Sequence, residues 1–348
     1  MAGTPVPLDT SLSNDLDPAS VPPPVTQANV GSEEGSGPVV GACRSRTLGG
    51  RGQNHTMRSK LFVPGSRPEL FAKALASAAD AISFDVEDSV PETGKAEARA
   101  QIADFLRSAV TRATLQESAK IVIVRINPLN SRHFEGDLLA FACPEVALLN
   151  LPKAQGAADV QQVATALESA ERRNGMQQPI RLLVNVETPR AMRLAAEIAA
   201  AHPRVAGLQL GLSDLFESLR IDRKDELSVH AGMFGLRLAA AETGRFVYDS
   251  AFPDVADEAG FRREAEQARR LGFAGKSCVH PKQVALANEI FRVDELDLAE
   301  ARRILASARE AAAIGHGAFL LDGRMIDAPA IKRAEALLAA AGEQPRDP

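Results

Sequence analysis

Long apolar runs are missing from this chain. None approaches the ~20 residues that a membrane-spanning helix needs, so no partner membrane is expected. Cysteine is scarce: Cys43, Cys143 and Cys278 show no CxxC or metal-ligand spacing, and an odd, unpaired set suits reduced thiols in a cytoplasmic protein. The six histidines are scattered singly without an HxxH or HExxH pair, which removes the usual zinc arrangements. Strong charge of one sign is lacking too. The net charge is -5, from 40 interspersed bases and 45 acids, which leaves no footprint for nucleic acid or a polybasic anchor.

What the sequence does have is eight short, β-branched apolar runs, most of them closed by a charged or amide residue. They begin at Leu61 (LFVPG), Ala81 (AISFDVED), Lys120 (KIVIVRIN), Val146 (VALLNLPKA), Ile180 (IRLLVNVET), Val205 (VAGLQLGLSD), Phe246 (FVYD) and Gly275 (GKSCVHP). Such runs read as strands buried on both faces, and the Ala/Leu/Arg-rich stretches between them have helical period. The pattern predicts an α/β fold, a (β/α)8 TIM barrel over residues 57–290, with working residues at the C-terminal strand ends.

Both ends of the chain depart from this pattern. Residues 1–56 are rich in Pro, Gly, Ser and Thr, with few large apolar residues, and are expected to be a disordered tail. A sharper alternative is translation from Met57, directly before the first strand. Residues 291–348 are expected to form a C-terminal helical extension, with one or two amphipathic helices over 282–315, then a loop carrying Asp322 and Asp327, then a helix with Pro329 in its first turn. This extension is read as too short for a core of its own and too apolar to be free, so it should pack on the barrel or on a neighbouring subunit.

The polar strand ends carry the candidate chemistry. Glu187 closes strand five and Asp214 closes strand six; neighbouring strands lie about 4.8 Å apart, so both carboxylates can converge on one hard cation. Two carboxylates plus waters suit Mg2+ better than zinc, and the competing reading is a pair of salt bridges to Arg125 or Lys153. Arg125, ending strand three, suits a substrate carboxylate or neutralises the acids Asp85, Glu87 and Asp88. Ser66 and Glu69 have capping-box spacing, which places Arg67 in a first helical turn where it meets a phosphate. By spacing alone, Lys73 is a solvated lysine.

Seven motifs in order, RSKLFVPGSRPELFAKAL, DVEDSV, VRIN, PKA, VETPRA, GFAGKSCVHPKQV and GRMIDAP, resemble the citrate lyase β-subunit-like branch of the HpcH/HpaI aldolase superfamily over about residues 57–335. That branch includes malyl-CoA and citramalyl-CoA lyases, which are Mg2+-dependent barrels. The resemblance implies that Glu187 and Asp214 bind Mg2+, and that Arg125 holds a keto-acid carboxylate. It also implies that Glu87 and Asp88 orient metal waters and Arg125, that Phe62, Arg67 and Lys73 contact coenzyme A, and that Asp327 acts in a neighbouring subunit's site. Ser213 stands where relatives often carry an acid.

The activity implied is a retro-Claisen or retro-aldol cleavage of a 3-hydroxyacyl-CoA into an acyl-CoA and an α-keto acid, by a homotrimer or homohexamer. Four alternatives stand beside it: a citrate lyase β subunit on a carrier-protein thioester, an aldolase on free hydroxy-keto acids, a noncatalytic CoA-ester-binding paralogue, and a phosphate-handling barrel. The last is weakened because no glycine-rich phosphate loop follows strands seven and eight.

Overall fold

The computed structural model describes residues 57–343, so the expectations for the N-terminal tail fall outside the described residues. Eight strands form one parallel sheet: β1 (Ser59–Pro64), β2 (Ala81–Asp85), β3 (Ile121–Arg125), β4 (Leu148–Leu151), β5 (Arg181–Val186), β6 (Val205–Leu210), β7 (Phe246–Tyr248) and β8 (Lys276–Cys278). Their order is β7-β6-β5-β4-β3-β2-β1-β8. A parallel bridge between Asp249 and Lys276 joins the two outer strands, so the sheet closes into the predicted barrel.

Alternation along each strand sorts the side chains. On β3, Val122 and Val124 belong to the large cluster packed against the helices, while Ile121 and Ile123 join Ala81, Leu148, Leu183 and Tyr248 in a second, smaller cluster inside the barrel. Arg125 continues the inward series at the strand end. Phe84 of β2 meets Phe71 edge-on at 5.1 Å and Phe105 at 5.9 Å. Truncating a buried phenylalanine of this kind costs about 3–5 kcal/mol. The packing matters to the site because it seats β2, whose last residue is Asp85.

Two local expectations differ from what is found. The Ser66–Glu69 capping box does not form: Arg67 precedes a 3-10 turn over Pro68–Leu70, no side chain caps that turn, and the α-helix starts at Phe71. Pro68 is compatible with the turn because its missing N–H falls among the unbonded first donors. The charged pair Arg67–Glu69 takes the place of the box.

The C-terminal extension also differs. Helix Glu295–Ala313, the antiparallel hairpin β9 (Phe319–Leu321) and β10 (Arg324–Ile326), and helix Ala328–Ala340 enclose a small core of their own, built on Leu298, Ile304, Leu305, Ile326, Ala334 and Leu338. Two short helices alone would expose this apolar face, and the hairpin covers it. The hairpin turns on Asp322 and Gly323 at φ 51° and 78°, and Asp-Gly is the residue pair that such a turn favours. Among the described residues no helix is long and apolar enough to cross a membrane.

Candidate active site

Asp85 and Arg125 stand in register on adjacent strands, which sets their side chains side by side at the barrel mouth. Arg125 donates from Nε to Asp85 Oδ1 at 2.8 Å and from Nη2 to Oδ2 at 2.7 Å. Asp85 also accepts from the main-chain N–H groups of Glu87 and Ser89. Those bonds fold the loop back so that Glu87 lies 3.1 Å and Asp88 3.5 Å from Arg125 Nη1. Burial acts to raise the Asp85 carboxyl, but the guanidinium outweighs it and holds the carboxyl below its ordinary range.

Lys153 completes this group, with Nζ 2.5 Å from Glu87 Oε1 and 3.0 Å from Asp88 Oδ1. Even so, burial pushes the Glu87 carboxyl up to about 7, with Arg125 opposing the shift. Both Glu87 oxygens are buried and lack an aligned hydrogen bond.

Glu187 closes β5, and Thr188 immediately caps the helix Pro189–Arg193 by accepting from the N–H of Ala191 at 3.1 Å. The chain therefore turns away as soon as the carboxylate is placed. Oε1 accepts from the Lys153 main-chain N–H at 2.6 Å, and Oε2 from Asn185 Nδ2 at 3.0 Å. Lys153 adopts the left-handed region, φ 54°, to aim that N–H, a backbone state concentrated at functional sites. Gly211, at the end of β6, leaves room for the carboxylate: a Cβ there would lie 2.4 Å from Glu187 Cβ and 2.8 Å from Oε2.

Asp214 does not close β6 as expected: the strand ends at Leu210, and Asp214 sits in the first turn of helix Leu212–Leu219, which starts two residues later. Burial, with the Asp214 charge adding to it, raises the Glu187 carboxyl to about 6. Neither carboxylate has an ion-pair partner among the described residues, so the salt-bridge reading fails: Arg125 and Lys153 side chains are committed to Asp85, Glu87 and Asp88.

This donor set fits a hard divalent cation. Five carboxylates stand with two committed cations at the mouth, and burial first, with the neighbouring carboxylates adding to it, pushes Glu87 and Glu187 toward neutrality. Among the described residues no three His, Cys, Asp or Glu converge on one point; a pair of carboxylates would leave most positions of a bound cation to water or substrate oxygens, as Mg2+ prefers.

The other predicted residues are dispersed. Phe62 is half-buried inside the barrel, with the Arg125 guanidinium 5.1 Å from its ring centre. Arg67 is exposed and paired with Glu69, and Lys73 is exposed on helix Phe71–Ala76. Asp327 caps helix Ala328–Ala340, accepting from the Ala330 N–H at 3.3 Å, and belongs to the C-terminal unit rather than the mouth of its own barrel.

Sequence reasoning undervalued Lys153, which lies in the quoted PKA motif, and Asp85, whose place at the start of DVED was visible. It missed Asn185, Gly211 and Lys60; the two-residue spacing of Asn185 and Glu187 put both on one face of the strand and was a signal for the first, while nothing local marked Gly211 or Lys60. Lys60 is wholly buried, bonded to Gln209 Oε1, with Nζ 4.2 Å from the Phe62 ring centre. Burial, followed by the nearby Arg125, pushes its amine well below the usual lysine range.

A family model described as HpcH/HpaI aldolase/citrate lyase matches residues 58–281, a span that takes in all eight barrel strands. The chain belongs to the HpcH/HpaI aldolase/citrate lyase family. The L-malyl-CoA/beta-methylmalyl-CoA lyase of Cereibacter sphaeroides is 36% identical over 302 residues, covering 81% of this chain and 93% of that protein. A citrate lyase subunit beta-like protein of Deinococcus radiodurans is 38% identical over 284 residues, covering 81% and 96%. Among solved structures, CitE of Mycobacterium tuberculosis in complex with magnesium, acetoacetate and coenzyme A matches with a TM-score of 0.64 at 34% identity, covering 82% of this chain and 98% of that one. As a family member this chain is an enzyme of the lyase/aldolase class.

Proposed function

We propose that this lyase cleaves or forms the carbon–carbon bond of a 3-hydroxyacyl-CoA such as citramalyl-CoA or malyl-CoA, interconverting it with an acyl-CoA and an α-keto acid, and that it works with Mg2+. The observation that carries the reading is the buried Glu187 carboxylate, held only by neutral donors beside the unpaired Asp214, at the mouth that Arg125 also faces. Relatives support it: one is named a malyl-CoA lyase, and a structural neighbour was crystallised with magnesium and coenzyme A.

Glu187 and Asp214 are the residues to hold the cation. Bound there, Mg2+ supplies the charge stabilisation that a developing oxyanion needs as the carbon–carbon bond breaks. Arg125 is assigned to the keto-acid carboxylate: Asp85 takes Nε and one Nη2 hydrogen, Glu87 and Asp88 lie against Nη1, and the second Nη2 hydrogen is left to meet a substrate oxygen. Phe62, Arg67 and Lys73 are assigned to coenzyme A. Arg67 is exposed and free to exchange Glu69 for a phosphate, since solvent screening leaves an exposed pair of this kind weak.

Asp327 is assigned the proton transfer at the acyl carbon, reaching a neighbouring copy's mouth in a homotrimer or homohexamer. The resemblance of the GRMIDAP segment, which holds Asp327, to the family's motif supports that assignment. The test is an assay of purified protein with Mg2+ against malyl-CoA, citramalyl-CoA and methylmalyl-CoA, following free keto acid. Release from at least one is expected, and none from all three defeats the proposal.

A further inference from the structure

Inside the barrel, below Glu187, two asparagines form a buried ladder. Asn150 of β4 and Asn185 of β5 are 0% and 1% exposed. Asn150 Nδ2 donates to Asn185 Oδ1 at 2.7 Å and to the Leu183 carbonyl at 3.0 Å. Asn185 Nδ2 then donates to Glu187 Oε2 at 3.0 Å.

The order of these bonds matters. A carboxamide presents either its oxygen or its nitrogen to a neighbour, and the oxygen here would repel Glu187. Because Asn150 offers only N–H to Asn185, the Asn185 oxygen is drawn to Asn150, and its nitrogen is left facing Glu187. With the Lys153 main-chain N–H on Oε1, each Glu187 oxygen has one neutral donor fixing it and lone-pair capacity left over. A lysine or arginine in the place of Asn185 would compete with a cation for the carboxylate charge; an amide does not.

We infer that Asn185 is a positioning residue for the cation-binding carboxylate Glu187, and that Asn150 acts on the same carboxylate only through Asn185, by locking its amide. The inference rests on the reading of Glu187 as a Mg2+ ligand and extends it to two residues that touch neither cation nor substrate. A purely structural role for the ladder, filling a barrel interior where two strands meet, predicts a change in stability alone.

Calorimetric titration of the full chain with MgCl2 separates these cases. Asn185→Leu, close in volume and without a donor, is expected to weaken Mg2+ binding about 10- to 100-fold, the usual consequence of removing a bond that orients a metal ligand. Asn150→Leu should weaken it several-fold less than that. The double variant should match Asn185→Leu alone, because once the amide is gone there is nothing left to lock. Should Asn185→Leu lack a cooperative melting transition, Asn185→Ala and Asn150→Ala, which also carry no donor, replace the pair in the same cycle.

Unchanged Mg2+ affinity in folded Asn185 variants overturns the inference while leaving the metal reading intact. Effects that add fully in the double variant overturn the locking role of Asn150. A wild-type chain that takes up no Mg2+ overturns both the inference and the reading beneath it.

Discussion

Asp85 and Arg125 are joined across β2 and β3 by two hydrogen bonds, 2.8 and 2.7 Å, with side chains 3% and 15% exposed. The pair fixes the plane of the Arg125 guanidinium, and Asp85 simultaneously folds the loop bearing Glu87 and Asp88. Asp85→Asn keeps the shape and removes the charge. It should destabilise the fold by about 1.5–3 kcal/mol, the range for hydrogen bonds to charged groups, and lower turnover by at least tenfold. Urea unfolding with parallel kinetics checks it, and wild-type values on both counts refute the claim.

Replacing Glu187 by Gln or Asp214 by Asn should leave melting behaviour near wild type and reduce turnover by orders of magnitude, since a two-carboxylate site loses much of its attraction for a cation with either change. Gly211→Ala reaches the same end by a different route: its Cβ collides with Glu187, so Mg2+ affinity should fall by about tenfold or more with a stability loss of about 1–3 kcal/mol. Full activity in EDTA removes the metal from the proposal.

The Glu87 carboxyl, raised to about 7 by burial, makes a signed prediction about pH. Its folded value lies above its unfolded value near 4.5, so its contribution to stability is present below about 4.5 and is lost as pH climbs through about 7. Glu87→Gln carries no such charge. In metal-free buffer the melting temperature of wild type minus that of the variant should therefore decline from pH 5 to pH 8. A difference independent of pH places the Glu87 titration elsewhere.

Asp327 gives an assembly prediction. Mixing inactive Asp327→Ala protein with inactive Glu187→Gln protein, under conditions that exchange subunits, should restore part of the activity, because some sites then receive both intact halves. If the mixture stays inactive despite proven exchange, Asp327 does not act across an interface.

The barrel was legible because its determinants are local. Eight buried strands need eight apolar runs, helices between them need a 3.6-residue period, and both survive in a linear reading; all eight runs became strands. The hairpin was legible in principle from Asp322-Gly323, yet its flanking strands are only three residues long, too short for a period to register. The Ser66–Glu69 box had the right spacing and failed, because Pro68 and the Arg67–Glu69 pair offered the backbone and carboxylate another solution.

Residue types and strand ends alone determined which carboxylates and which arginine stand at the mouth. Only the tertiary structure decided how charge is shared among them. Whether Arg125 neutralises Asp85 or Glu187 depends on strand register, and whether Glu187 is held by the Lys153 side chain or by its main-chain N–H depends on positions more than thirty residues apart in the chain meeting within 3 Å. Electrostatic and hydrogen-bond energies change over such distances by more than any local propensity encodes, so the chemistry of the mouth is a property of the closed barrel.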